Sequence, residues 1–416
     1  MPANAKKRIL QEWTMSNVWY NTAMTIKHTV TFFILLSFFL APFAEVQAGL
    51  LTGTKNEKKA EKKEKSEKWL LTYYVGYQNN YLKPKDVDYS LMTHIVVGGV
   101  GVLGDGSLNE HWHVVNGSGR EMALDVGNRA EKAGVKKLIW LGGPNEEDKF
   151  YEATLDKNRE KLVKNILKLL KELDYDGVDI DWEPVRKKDE PGLLALVKDL
   201  RKADPDIIIT VPVNWVPSSI LFTKDLSVYK RIAPYVDKMF IMSYSMAGPW
   251  LGWQSWHGGA LSGDSLTTPS SLKSSTYAYR RAGVSKEQLG IGIGTYATCW
   301  EYPVKNRKQD LPSTFYSSAM HVMSMRTFMD EYYLKKYDKW DNIAKVPYQS
   351  YKKLEGDFKC GYISHENERS VKEKVEYVNK SGLAGVMVWN IGTGYFPDNI
   401  ISERHSLLKK AWETLE

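Results

Sequence analysis

From residue 69 onward the chain alternates short apolar runs with longer stretches in which apolar residues recur every three or four positions. The short runs are Leu70–Tyr77, His94–Val100, Lys137–Gly143, Gly177–Glu183, Ile207–Val213, Met239–Tyr244, Leu289–Tyr296 and Gly385–Asn390. Several are near-continuous Ile, Val, Leu and Met, the pattern of strands buried on both faces of a parallel sheet. Between them, Asn158–Leu173 places Leu162, Ile166, Leu169, Leu170 and Leu173 at helical spacing. Further helical patterns fit Leu193–Lys202, Ser271–Arg281, Ser370–Asn379 and Ser402–Glu416. Eight strands alternating with helices predict a parallel α/β architecture, and the number eight favours a closed (β/α)8 TIM barrel. A doubly wound sheet is the alternative, but no G-x-G-x-x-G follows the first run. Two connections are long: 245–270 after strand six, and 297–384 after strand seven, whose 88 residues have room for a small inserted subdomain. Long loops after barrel strands wall the substrate cleft in such folds.

The first 68 residues follow no such alternation. Residues 29–44 are apolar and uncharged, preceded by Lys27 and His28 and followed by Val46-Gln47-Ala48. A basic start, a short apolar region and a small-residue end predict a secretory signal peptide cut after Ala48. Sixteen positions fall short of the roughly 20 a bilayer-spanning helix needs, so an anchor is the weaker reading. A signal of this form begins naturally at Met24, which makes residues 1–23 an upstream segment. Residues 49–68 are Lys/Glu-rich and read as a solvated linker, and residues 69–416 as the barrel with its insertion. The expected mature protein is secreted or periplasmic, without a membrane segment, and monomeric by default.

The net charge of +7 sits largely outside the barrel: residues 1–48 carry +2 and Lys55–Lys68 carry +3, leaving +2 for residues 69–416. That balance gives no reason to expect a nucleic-acid partner. Trp (14) and Tyr (24) are abundant, which suits both a core and a sugar site and decides nothing alone. The two cysteines, Cys299 and Cys360, fall in one late segment; in an oxidising compartment they either pair or remain two buried thiols.

The most informative segment is Asp176-Gly177-Val178-Asp179-Ile180-Asp181-Trp182-Glu183. Side chains on a strand alternate faces, so Asp179, Asp181 and Glu183 point together into the barrel. Three acids on a buried face are costly unless paired, protonated or functional. They cannot all ionise, so at least one proton is retained near neutral pH. Glu183 stands nearest the mouth, where an acid of raised pKa is suited to protonate a leaving-group oxygen. Asp181 is placed to orient a substrate group while exchanging hydrogen bonds with Asp179. A D-x-D-x-E strand also has oxygens for Mg²⁺ or Ca²⁺, but no second carboxylate cluster stands near another strand end. A purely structural triad is disfavoured by the expense of satisfying three buried acids.

This segment resembles the D-x-x-D-x-D-x-E signature of family 18 glycoside hydrolases, the chitinases, and matches it at all four acids. The resemblance runs from about Trp69 to the C-terminus. It implies a (β/α)8 barrel that hydrolyses β-1,4-linked N-acetylglucosamine polymers by a retaining, substrate-assisted mechanism, with no metal or organic cofactor. Carried over, Glu183 is the acid/base, Asp181 holds and polarises the substrate acetamido group, and Asp179 is its buried partner. Met242-Ser243-Tyr244 matches the start of the strand-six M-x-Y-D motif, whose Tyr donates to the N-acetyl oxygen. Trp389 matches the strand-eight Trp that floors the −1 sugar site, and Tyr77 is a further, less specific match. The chain departs from the family at Ser245, where the motif has Asp, and at Trp140, which replaces Ser in S-x-G-G. Trp140 is expected to set a bulky ring low in the barrel, beside Asp179.

The loop after strand six carries Trp250, Trp253 and Trp256 at spacing three on a Gly-rich, charge-free stretch. Aromatic rings so placed are expected either to stack on sugars or to pin the loop to the barrel, and Trp215 past strand five is a similar candidate. A chitin-binding, lectin-like relative without catalysis is the competing reading, though such members typically lose the Glu that this chain retains. A third reading is an endo-β-N-acetylglucosaminidase acting on glycans or peptidoglycan.

Overall fold

The computed structural model describes residues 68–416 apart from Asn116. The signal segment, its cleavage point and the Lys/Glu-rich run up to residue 67 lie outside the described residues. Eight parallel strands close on themselves: β1 (Trp69–Val75), β2 (His94–Val102), β4 (Lys136–Pro144), β5 (Gly177–Glu183), β6 (Ile208–Val213), β7 (Lys238–Ile241), β8 (Leu289–Gly294) and β14 (Gly385–Trp389). Closure is made by β1, which pairs with β14 from Trp69 opposite Gly385 and with β2 from Leu71 opposite His94. A two-residue strand, β3 (Leu108–Asn109), pairs antiparallel with the end of β2.

Helices between the strands cover the barrel wall. In Asp156–Leu173 the buried residues are Leu162, Val163, Ile166, Leu169, Leu170 and Leu173, one apolar stripe at helical spacing. Helix Glu368–Ser381 begins at Asn367, whose side chain accepts from the Ser370 N–H at 2.9 Å, and ends at Gly382, where a φ of +62° favours glycine. Four α-helices among the described residues escaped the sequence pattern: Gly119–Lys132, Glu147–Ala153, Ser227–Ile232 and the three-residue Met325–Thr327. Their buried faces include small residues (Gly119, Ala123, Gly127, Ala130) or are too short to show a period.

The segment between β8 and β14 builds a five-stranded antiparallel sheet in the order β10-β9-β13-β12-β11. Its strands are β9 (Tyr296–Glu301), β10 (Met320–Ser324), β11 (Asp338–Asp341), β12 (Val346–Glu355) and β13 (Cys360–Ser364). Cys299 on β9 and Cys360 on β13 form a disulfide, which settles the choice left open by the sequence. The loop after β7 docks on this sheet. Trp256 is 1% exposed and clusters with Trp300, Val346 and Tyr362. His257 beside it is fully buried, bonded at Nδ1 to the Tyr362 hydroxyl (2.8 Å) and at Nε2 to Asp341 (3.3 Å). The long loop is thus fixed by a packed ring and a satisfied polar network.

Candidate active site

The barrel interior is lined by alternate residues of each strand. Leu71, Tyr73 and Val75 come from β1, Leu138 and Trp140 from β4, Phe240 from β7 and Met387 from β14, with Met242, Tyr244 and Trp389 packed partly buried against them. All seven residues of β5 are buried, so Asp179, Asp181 and Glu183 enter this lining together. They are 1%, 6% and 7% exposed, an ascending series from the barrel floor toward its mouth.

Each acid has a different environment. Asp179 accepts from the Tyr73 hydroxyl at Oδ2 (2.6 Å) and from the Thr210 hydroxyl at Oδ1. Asp181 accepts from the Trp140 indole N–H at Oδ2 (2.9 Å), while its Oδ1 is buried without a hydrogen-bond partner among the described residues. Glu183 accepts no hydrogen bond from any described residue. The expected Asp179–Asp181 hydrogen bond is therefore replaced by separate donors from three other strands. Burial pushes Asp179 up to about 6 against the hydrogen bonds of Thr210 and Tyr73, which pull it down. Asp181 is pushed up to about 8, by burial first and then by the charge of Asp179. Glu183 is held well above its ordinary 4.5 by burial, then by the charges of Asp181 and Asp179. Burial and mutual charge therefore favour the protonated forms in this cluster, and Glu183 is the acid that stands nearest the mouth.

Aromatic rings surround the outer end of this strand. Trp389, at the end of β14, lies 5.0 Å from Tyr73, 5.5 Å from Trp140 and 6.5 Å from Tyr244, to which it is nearly parallel at 15°. Tyr244 lies past the end of β7 rather than inside it, since that strand stops at Ile241. Its hydroxyl makes no hydrogen bond to a described residue, and burial drives its pKa well above the usual 10.0. Tyr77 sits just beyond β1 in the turn Gly76–Asn80, beside Asn390. Met242 is tied by its N–H to the Val213 carbonyl at 2.9 Å.

The three loop tryptophans divide. Trp250 and Trp253 are half-buried, 4.5 Å apart, and both contact Trp215, at 5.7 and 6.1 Å. Trp256 instead donates its indole N–H to the Ser270 carbonyl at 3.0 Å and belongs to the core. Among the described residues no group of three or more His, Cys, Asp or Glu side chains is arranged to hold a metal ion.

Sequence reasoning did not single out Tyr73, Thr210 or Tyr296. Tyr73 and Thr210 are polar side chains at inward positions of otherwise apolar strands, a signal that strand period two carries. Tyr296, which hydrogen-bonds the Ser245 hydroxyl at 2.6 Å, follows β8 and left no such signal. Trp140 stands opposite Asp179 in register, as expected, but its hydrogen bond goes to Asp181, two residues nearer the mouth.

The chain forms a closed eight-stranded parallel barrel whose three β5 carboxylates ascend toward its C-terminal mouth. Residues 70–394 match the glycosyl hydrolases family 18 profile, and the chain belongs to that family. The Manduca sexta protein "Endochitinase" is 23% identical over 312 residues, covering 68% of this chain but only 54% of that protein. The chain therefore spans about half of that relative's length. The "chitinase-like effector" of Moniliophthora roreri is 22% identical over 80% of this chain and 91% of its own. The Ostrinia furnacalis Group IV chitinase, solved in complex with allosamidin, superposes with a TM-score of 0.68 at 24% identity, covering 83% of this chain and 98% of that one. That likeness shows a common fold.

Proposed function

We propose that this protein hydrolyses β-1,4-linked N-acetylglucosamine chains with retention of configuration, using Glu183 as acid and base. One observation carries the reading: three acids rise along β5, and the outermost is buried, without a hydrogen-bond partner among the described residues, its carboxyl pushed above its ordinary range by burial and by its acidic neighbours. In the first step the substrate's N-acetyl carbonyl oxygen attacks the anomeric carbon. The glycosidic C–O bond breaks, and the Glu183 proton passes to the departing oxygen. The product is a cyclic oxazolinium ion, whose N–H is suited to the unpartnered Oδ1 of Asp181. In the second step Glu183, now a carboxylate, takes a proton from water as that water opens the ring. Tyr244 donates a hydrogen bond from its hydroxyl to the acetamido oxygen, and Trp389 supplies the apolar floor on which the sugar stacks. Trp250, Trp253 and Trp215 extend the apolar surface along the cleft, with Tyr77 and Met242 bordering the central sugar.

Export completes the proposal: residues 24–48 direct secretion, and the mature chain meets its polymer outside the cell. Among the described residues no helix is long and apolar enough to cross a membrane. Sequencing the N-terminus of the exported protein tests the cut after Ala48.

Hydrolysis of a chitooligosaccharide series by the full chain, beside its Glu183→Gln variant, tests the chemistry. Cleavage by the unaltered protein and its loss in the variant, with oligomer binding retained, is the expected result. Binding without cleavage by the unaltered protein overturns the enzymatic reading in favour of a lectin-like one.

A further inference from the structure

Trp140 departs from its family's pattern, and the surrounding chain is shaped to receive it. Its ring meets β2 at Gly99, where an added Cβ would lie 2.9 Å from the ring, while Gly98 faces the Trp140 Cβ and carbonyl oxygen, each 3.0 Å from an added Cβ. At Gly143, three residues on, a Cβ would come within 3.1 Å of the ring's far edge. Two glycines, Gly99 and Gly143, thus leave the volume that the indole fills. Aromatic neighbours bound its other sides: His113 at 5.4 Å, Trp389 at 5.5 Å and Tyr73 at 6.2 Å. The ring is 5% exposed and held from several directions, so the direction of its N–H is fixed.

We propose that Trp140 is a positioning residue of this active site: its indole N–H pins one carboxylate oxygen of Asp181 and leaves the other, Oδ1, as a fixed acceptor. The proposal rests on reading Asp181 as the group that holds the substrate acetamido N–H. Two structural facts support the pin. The bond from Trp140 Nε1 to Asp181 Oδ2 is 2.9 Å, and Oδ1 of the same carboxylate is buried with no partner among the described residues. Asp179, the alternative partner for a turned Asp181, already has both oxygens bonded to Tyr73 and Thr210. Asp181 is therefore held outward before substrate arrives rather than swinging between two partners. An indole N–H neither titrates nor rotates, unlike a hydroxyl, so the preset orientation persists at every working pH. The same bond opposes the effect of burial on the Asp181 carboxyl, favouring its charged form.

The test joins a spectroscopic readout to a kinetic one, both on the full chain. With ¹⁵N-labelled tryptophan, the Trp140 indole resonance is assigned by its absence in Trp140→Phe. We expect it downfield, titrating with pH, and expect Asp181→Asn to move it upfield and abolish the titration. An indole resonance indifferent to Asp181→Asn overturns the pin; should Trp140→Phe not fold, Trp140→Tyr supplies the assignment. In Trp140→Phe the ring stays and the donor goes. Its kcat on chitooligosaccharides should fall about 10- to 100-fold, the scale of a hydrogen bond to a charged group, with KM little changed. The acidic limb of its pH profile should move upward. An unchanged kcat and pH profile in a folded Trp140→Phe overturns the positioning role and leaves Trp140 as packing. If the unaltered chain cleaves nothing, the hydrolase reading fails, while the indole titration still decides the pin.

Discussion

Tyr73 on β1 reaches through the barrel interior to donate a 2.6 Å hydrogen bond to Oδ2 of Asp179 on β5. The bond joins two strands that are not neighbours in the sheet, and it partners the deepest of the three acids. With Thr210 on the other oxygen, it offsets part of the desolvation that raises the Asp179 carboxyl.

Tyr73→Phe leaves Oδ2 of a buried carboxyl unpartnered and should cost about 1–3 kcal/mol of stability. It also raises Asp179 further above about 6, because the lost bond favours the charged form. Thermal unfolding and the pH dependence of kcat/KM read the two effects. A lower melting point with the acidic limb displaced upward is expected, and an unmoved limb would separate Asp179 from catalysis.

The acid cluster gives stability a definite pH dependence. Asp179 and Asp181 have folded pKa values raised from 3.8 to about 6 and about 8. Raised carboxyl pKa values mean that their contribution is full below the unfolded value and is lost as pH rises through the folded ones. Between about pH 4 and pH 8 the unaltered protein should therefore lose stability relative to an Asp179→Asn, Asp181→Asn double variant. Urea unfolding at pH 4 and pH 8 measures that difference. A difference of opposite sign would mean the acids are ionised and paired in the fold.

The loop tryptophans separate binding from packing. Trp253→Ala removes half-buried surface beside Trp215 and Trp250, and should raise KM for long oligomers several-fold with the melting point nearly unchanged. Trp256→Ala excavates the core between the loop and the antiparallel sheet, and should cost about 3–5 kcal/mol. Equal loss of stability in both variants would show that Trp253 also serves to hold the loop.

The disulfide spans a sequence separation of 61 residues. Constraining a loop of that length stabilises a fold by about 2–4 kcal/mol. A Cys299→Ala, Cys360→Ala variant should unfold at a correspondingly lower denaturant concentration, while the parallel barrel keeps its far-ultraviolet circular dichroism under native conditions. A variant as stable as the parent would show that the sheet's own pairing suffices.

Much of the fold was written in local patterns. Every barrel strand lies within a run of apolar residues or beside it, and the Gly177–Glu183 run coincides with β5. Strand six was expected to reach Tyr244, but the ladder ends at Ile241, because beyond it the chain turns away and Ser245 adopts a φ of +49°. Such an ending depends on backbone direction, which hydrophobicity does not encode. The helix Gly119–Lys132 was missed because glycine and alanine face the barrel there, and small residues carry little periodic signal.

By itself the sequence determined that three acids share one face of one strand, because side-chain alternation is a property of two neighbouring peptide units. It also determined the eight-fold alternation of strand and helix and the two departures, Trp140 and Ser245. Only the tertiary structure decided what those acids touch. Tyr73, Trp140 and Thr210 lie 106, 41 and 31 residues from their carboxylate partners. Contacts of that range are set by barrel closure and register, which no local pattern contains. The same holds for Trp250, Trp253 and Trp256: equal spacing gave them equal prospects, and the docking of one loop on one sheet buried only the last.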